Sequence, residues 1–91
     1  MSYLLDSDVV IYHLGGIADA ISLISRLAPD GIAISIVTYM EVYQSILRAP
    51  DPEVAEAKYS EFLSAVPIMP FQISTARRCA ELREQLLREQ L

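Results

Sequence analysis

Positive charge is scarce in this chain. Seven Lys and Arg face twelve Asp and Glu, Lys58 is the only lysine, and the net charge is -5 with a pI near 4.6. A field of that sign repels polyanions, so nonspecific nucleic-acid binding is not expected from charge. A nucleic-acid enzyme is not excluded, because acidic metal sites lower the net charge and a local basic strip still grips phosphates. Cysteine is limited to Cys79, which forms no internal disulfide, and the start MSYLLDSD has no basic segment leading into a long apolar one; a reducing cytoplasm is the default expectation. No apolar run approaches the roughly 18 residues of a membrane span. No internal repeat, low-complexity segment or linker interrupts the 91 residues.

Apolar residues are abundant: 53% of the chain, with a mean hydropathy of +0.32. A chain of this size buries only about 60–65% of the surface its unfolded form exposes. One domain over 1–91 with a dense core is expected, with excess apolar surface available to a partner or subunit.

Hydrophobic periodicity and breaker residues divide the chain. Tyr3 to Leu5 reads as a strand, ending in a turn at Asp6-Ser7 and a helix closed by Gly15-Gly16. Ile17 to Ala28 reads as a helix with Ile17, Ala20, Ile21, Ile24 and Leu27 or Ala28 at helical spacing, then Pro29-Asp30-Gly31 as a turn. Ile32 to Ile36 reads as a buried parallel strand. A helix follows, its apolar face expected at Met40, Tyr43 and Leu47 with Tyr39 and Ile46 beside them. Asp51-Pro52 starts the next helix, with Ala55, Tyr59, Phe62, Leu63 and Val66 inward. Pro67 to Phe71 reads as a third strand near a sheet edge. Ser74 or Thr75 caps a last helix with Cys79, Leu82 and Leu86 on its apolar side and Glu84–Arg88 among its surface pairs. The order β-α-α-β-α-α-β-α implies an α/β domain with a parallel sheet.

Within YLLDSDVVIYHL, two aspartates interrupt the most apolar opening segment. In an open parallel sheet, ligands bind beyond the carboxyl ends of the strands, where Asp6, Asp8 and Glu41 are expected to converge. Converging carboxylates repel, and a hard divalent cation, Mg²⁺ or Mn²⁺, is the usual remedy. Such an ion activates water and stabilises a phosphodiester being cut. Local alternatives stand beside this: Thr38-x-x-Glu41 fits a capping box, and Asp6 and Asp8 suit a helix N-terminus. His13 has no partner at metal-ligand spacing and reads as a packed or rim residue.

LLDSDVVIYHL, then IAISIVTYMEVYQSIL, a helical hairpin, PIMPF and STARRCAELREQLL together resemble the PIN domain, in particular the VapC-like toxin ribonucleases. Asp6, Ser7 and Asp8 match the family's opening motif, and Ser35, Thr38 and Glu41 its second; the resemblance spans essentially the whole chain. It implies a parallel sheet in the order 3-2-1-4-5 within a three-layer fold. The activity it implies is a Mg²⁺- or Mn²⁺-dependent endoribonuclease of toxin-antitoxin type, held by a cognate antitoxin protein. Asp6 and Glu41 would be catalytic metal ligands, Asp8 an auxiliary ligand, and Ser7 and Thr38 supporting hydrogen-bonding residues. The family's third acidic motif and last two strands have no counterpart here. The expectation is therefore an incomplete, three-stranded PIN-like domain, impaired as a nuclease, and a homodimer formed through the exposed first strand or the last helix. A non-catalytic PIN remnant that dimerises or binds an antitoxin is the first alternative. A haloacid-dehalogenase-like phosphatase is the second, since Asp6-Ser7-Asp8-Val9-Val10 also fits that family's opening, but the chain lacks a suitably placed lysine.

Overall fold

The computed structural model describes residues 2–70 and 72–90. Strand β1 (Tyr3–Leu4) leads into α1 (Ser7–Leu14) and α2 (Ala18–Leu27), which ends in a single 3₁₀ turn at Ala28–Asp30. Strand β2 (Ile32–Ser35) feeds α3 (Ile36–Leu47); α4 (Pro52–Leu63), β3 (Ile68–Met69) and α5 (Ile73–Gln90) complete the chain. The three strands are parallel in the order β1-β2-β3, with Leu4 beside Ala33 and Ser35 beside Met69. The expected element order, parallel pairing and α/β class are all present, with β1 at one edge of the sheet. Among the described residues no single helix is long and apolar enough to cross a membrane.

Local chemistry explains the boundaries. Asp6 in an extended conformation caps α1, and Asp51 caps α4 by accepting from the Val54 amide at 3.3 Å, with Pro52 at the first helical position. Gly31 enters β2 at φ +97°, a conformation that strains residues with a Cβ, and its carbonyl accepts from the Tyr3 amide at 2.8 Å. A Cβ there would also lie 3.2 Å from the Ser2 hydroxyl. On α5 the expected Glu84–Arg88 pair forms at 3.1 Å, joined by Arg78–Glu81 at 3.5 Å. Both pairs are exposed and add little to stability.

The core is built from Leu5, Val10, Ile24, Ile34, Val42, Ile46, Tyr59 and Val66. Several inward assignments need correction. On α2, Ala20 and Ile24 are buried but Ile17 and Ile21 are exposed. On α3 the buried line is Thr38, Val42 and Ile46, while Met40 and Leu47 face outward. That helix is apolar around most of its circumference, and its packing against α1, α4 and the sheet takes up only one face. The last helix begins at Ile73, so Ser74 and Thr75 lie inside its first turn rather than before it. Phe71 and the side chains of Leu82 and Leu86 lie outside the described residues.

Tyr59 joins α4 to α3. Its hydroxyl donates to the Tyr39 carbonyl at 3.3 Å, and its ring stacks on Tyr39, which stacks in turn on Tyr43, with centroids 5.6 and 6.2 Å apart. Burial, and secondarily the neighbouring Tyr39, pushes the Tyr59 hydroxyl from 10.0 up to about 12. A group whose folded pKa exceeds its unfolded value contributes stability that is whole below the unfolded value and is lost as pH rises through the folded one. The wild-type chain is therefore expected to lose stability between pH 10 and about 12 more steeply than Tyr59→Phe, which has no such proton to lose. Thermal melts of both proteins across that range check this; parallel curves would refute it.

Candidate functional site

β1 and β2 run side by side, and Asp6 and Ser35 each stand two residues beyond the paired Leu4 and Ala33. Each is the N-cap of the helix that follows its strand. The N-termini of α1 and α3 therefore open at the same end of the sheet, its carboxyl end. This arrangement follows from sequence: a short β-branched or apolar strand, a capping Asp or Ser, then a helix former with no intervening loop.

Asp6, Asp8 and Glu41 are all exposed, and Ser7, Ser35 and Thr38 are buried. Asp6 Oδ1 accepts from the Ser7 amide at 2.7 Å and faces the Ser7 hydroxyl at 3.5 Å, the latter at the limit of a hydrogen bond. Asp8 lies in the first turn of α1, where negative charge is favoured by the helix dipole. Ser35 Oγ accepts from the Thr38 amide at 3.0 Å, and the two hydroxyls are 3.2 Å apart.

These bonds settle one alternative. Thr38 is the third residue of α3 rather than its cap, so a Thr38–Glu41 capping box does not form; Ser35 does that work. Spacing alone could have found it, since Ser35 ends a β-branched strand three residues before Thr38. Glu41 is left with no capping duty, one turn farther along α3. The Thr38 hydroxyl faces the Ser35 hydroxyl, and the Ser7 hydroxyl faces Asp6.

Asp8 shares a helix face with Ile11 and Gly15, and Glu41 precedes Ser45 by one turn. Ile11, Leu14 and Gly15 of α1, Val42 and Ser45 of α3, and Lys58 of α4 line an apolar groove of about 440 Å³. The groove lies between three helices, toward the C-terminal parts of α1 and α3, and Asp6, Asp8 and Glu41 are not among its lining residues. His13 belongs elsewhere: it lines a cavity of about 550 Å³ with Gly31, Ile32 and Pro67, at the opposite ends of the strands. Its ring packs on Phe62 at 5.3 Å, with Nδ1 buried and without a hydrogen-bond partner among the described residues.

The donors at the carboxyl end are carboxylate and hydroxyl oxygens, a set whose chemistry fits a hard divalent cation. Their number is small. Among the described residues no three His, Cys, Asp or Glu side chains stand grouped for one ion. A helix beginning at Ser7, directly after the strand, leaves no place for the flap that the phosphatase reading requires.

The family model of the PIN domain matches residues 3–89. Among solved structures, the chain is similar to one in the crystal structure of VapBC2 from Rickettsia felis bound to a DNA fragment from their promoter. The TM-score is 0.74 at 26% identity, covering 100% of this chain and 70% of that one. No curated protein matches the chain by sequence.

Proposed function

The chain belongs to the PIN domain family, and from that premise we propose that it is a VapC-like, divalent-metal-dependent endoribonuclease of toxin-antitoxin type, weak as a catalyst. One observation carries this reading: Asp6 and Ser35 cap adjacent helices from level positions on adjacent parallel strands, which opens the helices bearing Asp6, Asp8 and Glu41 at one end of the sheet. Asp6 and Glu41 would hold Mg²⁺ or Mn²⁺, with Asp8 as an auxiliary ligand. A bound ion of this kind supplies a nucleophilic water and neutralises charge on the phosphodiester. Ser7 would restrain Asp6, and the Ser35–Thr38 pair would fix the first turn of the helix that carries Glu41. Among the described residues no three His, Cys, Asp or Glu side chains are grouped for one ion, so Asp6, Asp8 and Glu41 do not stand as a ready three-carboxylate cluster, which supports weak metal retention and low turnover.

An antitoxin as partner is supported by the similarity to a VapBC2 structure and by the apolar groove between α1, α3 and α4. Self-association belongs to the same reading, because β1 lies at an edge of the sheet among the described residues. A cytoplasmic setting follows from the proposed substrate, RNA.

The test is incubation of the purified chain with single-stranded RNA at equal concentrations of Mn²⁺ and of EDTA. Slow cleavage with the metal and none with the chelator is the expected result. Metal-independent cleavage would overturn the mechanism, and no cleavage with Mn²⁺ at high enzyme concentration would move the reading to a non-catalytic binding module.

A further inference from the structure

The cavity at the amino ends of the strands, about 550 Å³, lies within the usual range for small-molecule sites. His13 in the last turn of α1, Ser25 and Ala28 at the end of α2, and Phe62 in the last turn of α4 all line it. The carbonyl ends of three helix dipoles therefore meet there, each with its partial negative charge. A helix end of this kind is ordinarily complemented by a cation. Arg26 stands in the last turn of α2, but α4 has no basic residue in its last turn and α1 has only the His13 imidazole. Among the described residues no Lys, Arg, Asp or Glu lines the cavity. Phe62 offers a ring face of the kind that holds a cation, with the His13 ring tilted against it at 52°. Nδ1 of His13 is buried without a partner among the described residues, and with the imidazole proton on Nε2 it is a vacant acceptor. A half-turn of the ring about Cβ–Cγ breaks no bond at that atom and swings it to the other side of the ring.

We propose that this cavity binds a small organic cation, a primary ammonium carried on a flat apolar body. The ammonium supplies the positive charge that the ends of α1 and α4 lack, and its N–H groups serve the Ser25 hydroxyl, which is exposed in the lining, and the vacant His13 acceptor. The apolar body packs on Ile24, Ile32 and Phe62. Charge sets the preference. The chain's net charge of -5 draws cations toward it, whereas an anion of the same shape meets the negative ends of three helices. The site stands at the opposite ends of the strands from Asp6 and Ser35, and it does not depend on RNA cleavage.

Proton–nitrogen correlation spectra of the full chain test it, in buffer at about pH 8, which keeps free imidazole neutral. The probe is phenethylamine, with phenethyl alcohol and phenylacetate as neutral and anionic counterparts of similar shape. The amine is expected to shift the Gly31 and Ile32 amide signals with a Kd on the order of 1 mM, and the alcohol and the acid to bind at least about tenfold more weakly. Ser25→Lys, an exposed substitution by a good helix former, sets a resident ammonium at the cavity and should abolish amine binding. His13→Leu, which keeps an apolar contact with Phe62 but removes the acceptor, should weaken it at least about fivefold. Signal dispersion in the same spectra verifies folding. Equal binding of the three compounds overturns recognition of the cation. No shift with about 20 mM amine, or binding that survives both folded variants, overturns the site. Binding lost in Ser25→Lys but unchanged in His13→Leu overturns the part given to His13.

Discussion

Replacing Asp6 by Asn is expected to lower Mn²⁺-supported RNA cleavage by at least about 100-fold while leaving the chain folded. The pairing of those two outcomes gives the experiment its force. Asp6 is exposed, so the substitution buries nothing new, and it caps α1 by accepting from the Ser7 amide. Asn caps a helix about as well as Asp. The structural loss is then confined to charge at the helix N-terminus, about 0.3–1 kcal/mol. Glu41→Gln is expected to behave alike, since Glu41 has no capping role to lose. Asp8→Asn should cost about 10–100-fold, the range of a group that orients rather than holds the ion. Melting temperature with and without Mn²⁺ supplies a readout besides turnover: the ion should raise it for the wild type by mass action and not for Asp6→Asn. Full activity in either the Asp6 or the Glu41 variant would remove that residue from the proposed site.

Tyr59→Ala carries the largest expected loss of stability, about 3–5 kcal/mol. Tyr59 is 2% exposed, stacks on Tyr39 and donates its hydroxyl to the Tyr39 carbonyl. Truncation removes the ring from between α3 and α4, leaves a cavity and takes one donor from the part-buried Tyr39 carbonyl. Single domains are stable by only about 5–15 kcal/mol, and a chain this short sits toward the lower end, so the variant should be largely unfolded at physiological temperature. Leu47→Ala, on the same pair of elements but facing water, should shift stability by less than about 0.5 kcal/mol. Urea midpoints for the two variants make the comparison; similar losses would mean that the α3 orientation is wrong.

The α3 orientation also marks where sequence reading stops. The order of elements, the parallel sheet and the caps at Asp6 and Asp51 were legible because each rests on local chemistry: strand composition, a capping side chain, a proline at the first helical position. The face of α3 was not. Between Ile36 and Leu47 apolar side chains occupy both sides of the helix, and periodicity offers two stripes of similar quality. Only packing against α1, α4 and the sheet selects Val42 and Ile46 over Met40 and Leu47. The same limit applies on α2, where Ile17 and Ile21 belong to the apolar pattern but lie beyond the reach of the core. Asp6 and Asp8 stood out because charge is costly in an apolar run, whereas Ser35, which fixes the turn before Glu41, was hidden behind the more familiar Thr-x-x-Glu spacing.

β1 consists of two residues, and it is gripped from one flank. The Tyr3 and Leu5 amides donate to the Gly31 and Ala33 carbonyls, while the Leu4 peptide group points away from β2. The residue that leads the proposed chemistry, Asp6, hangs directly from this half-anchored segment. Among the described residues few bonds hold the segment, so a strand pairing along the open side of Leu4 would steady Asp6 as well.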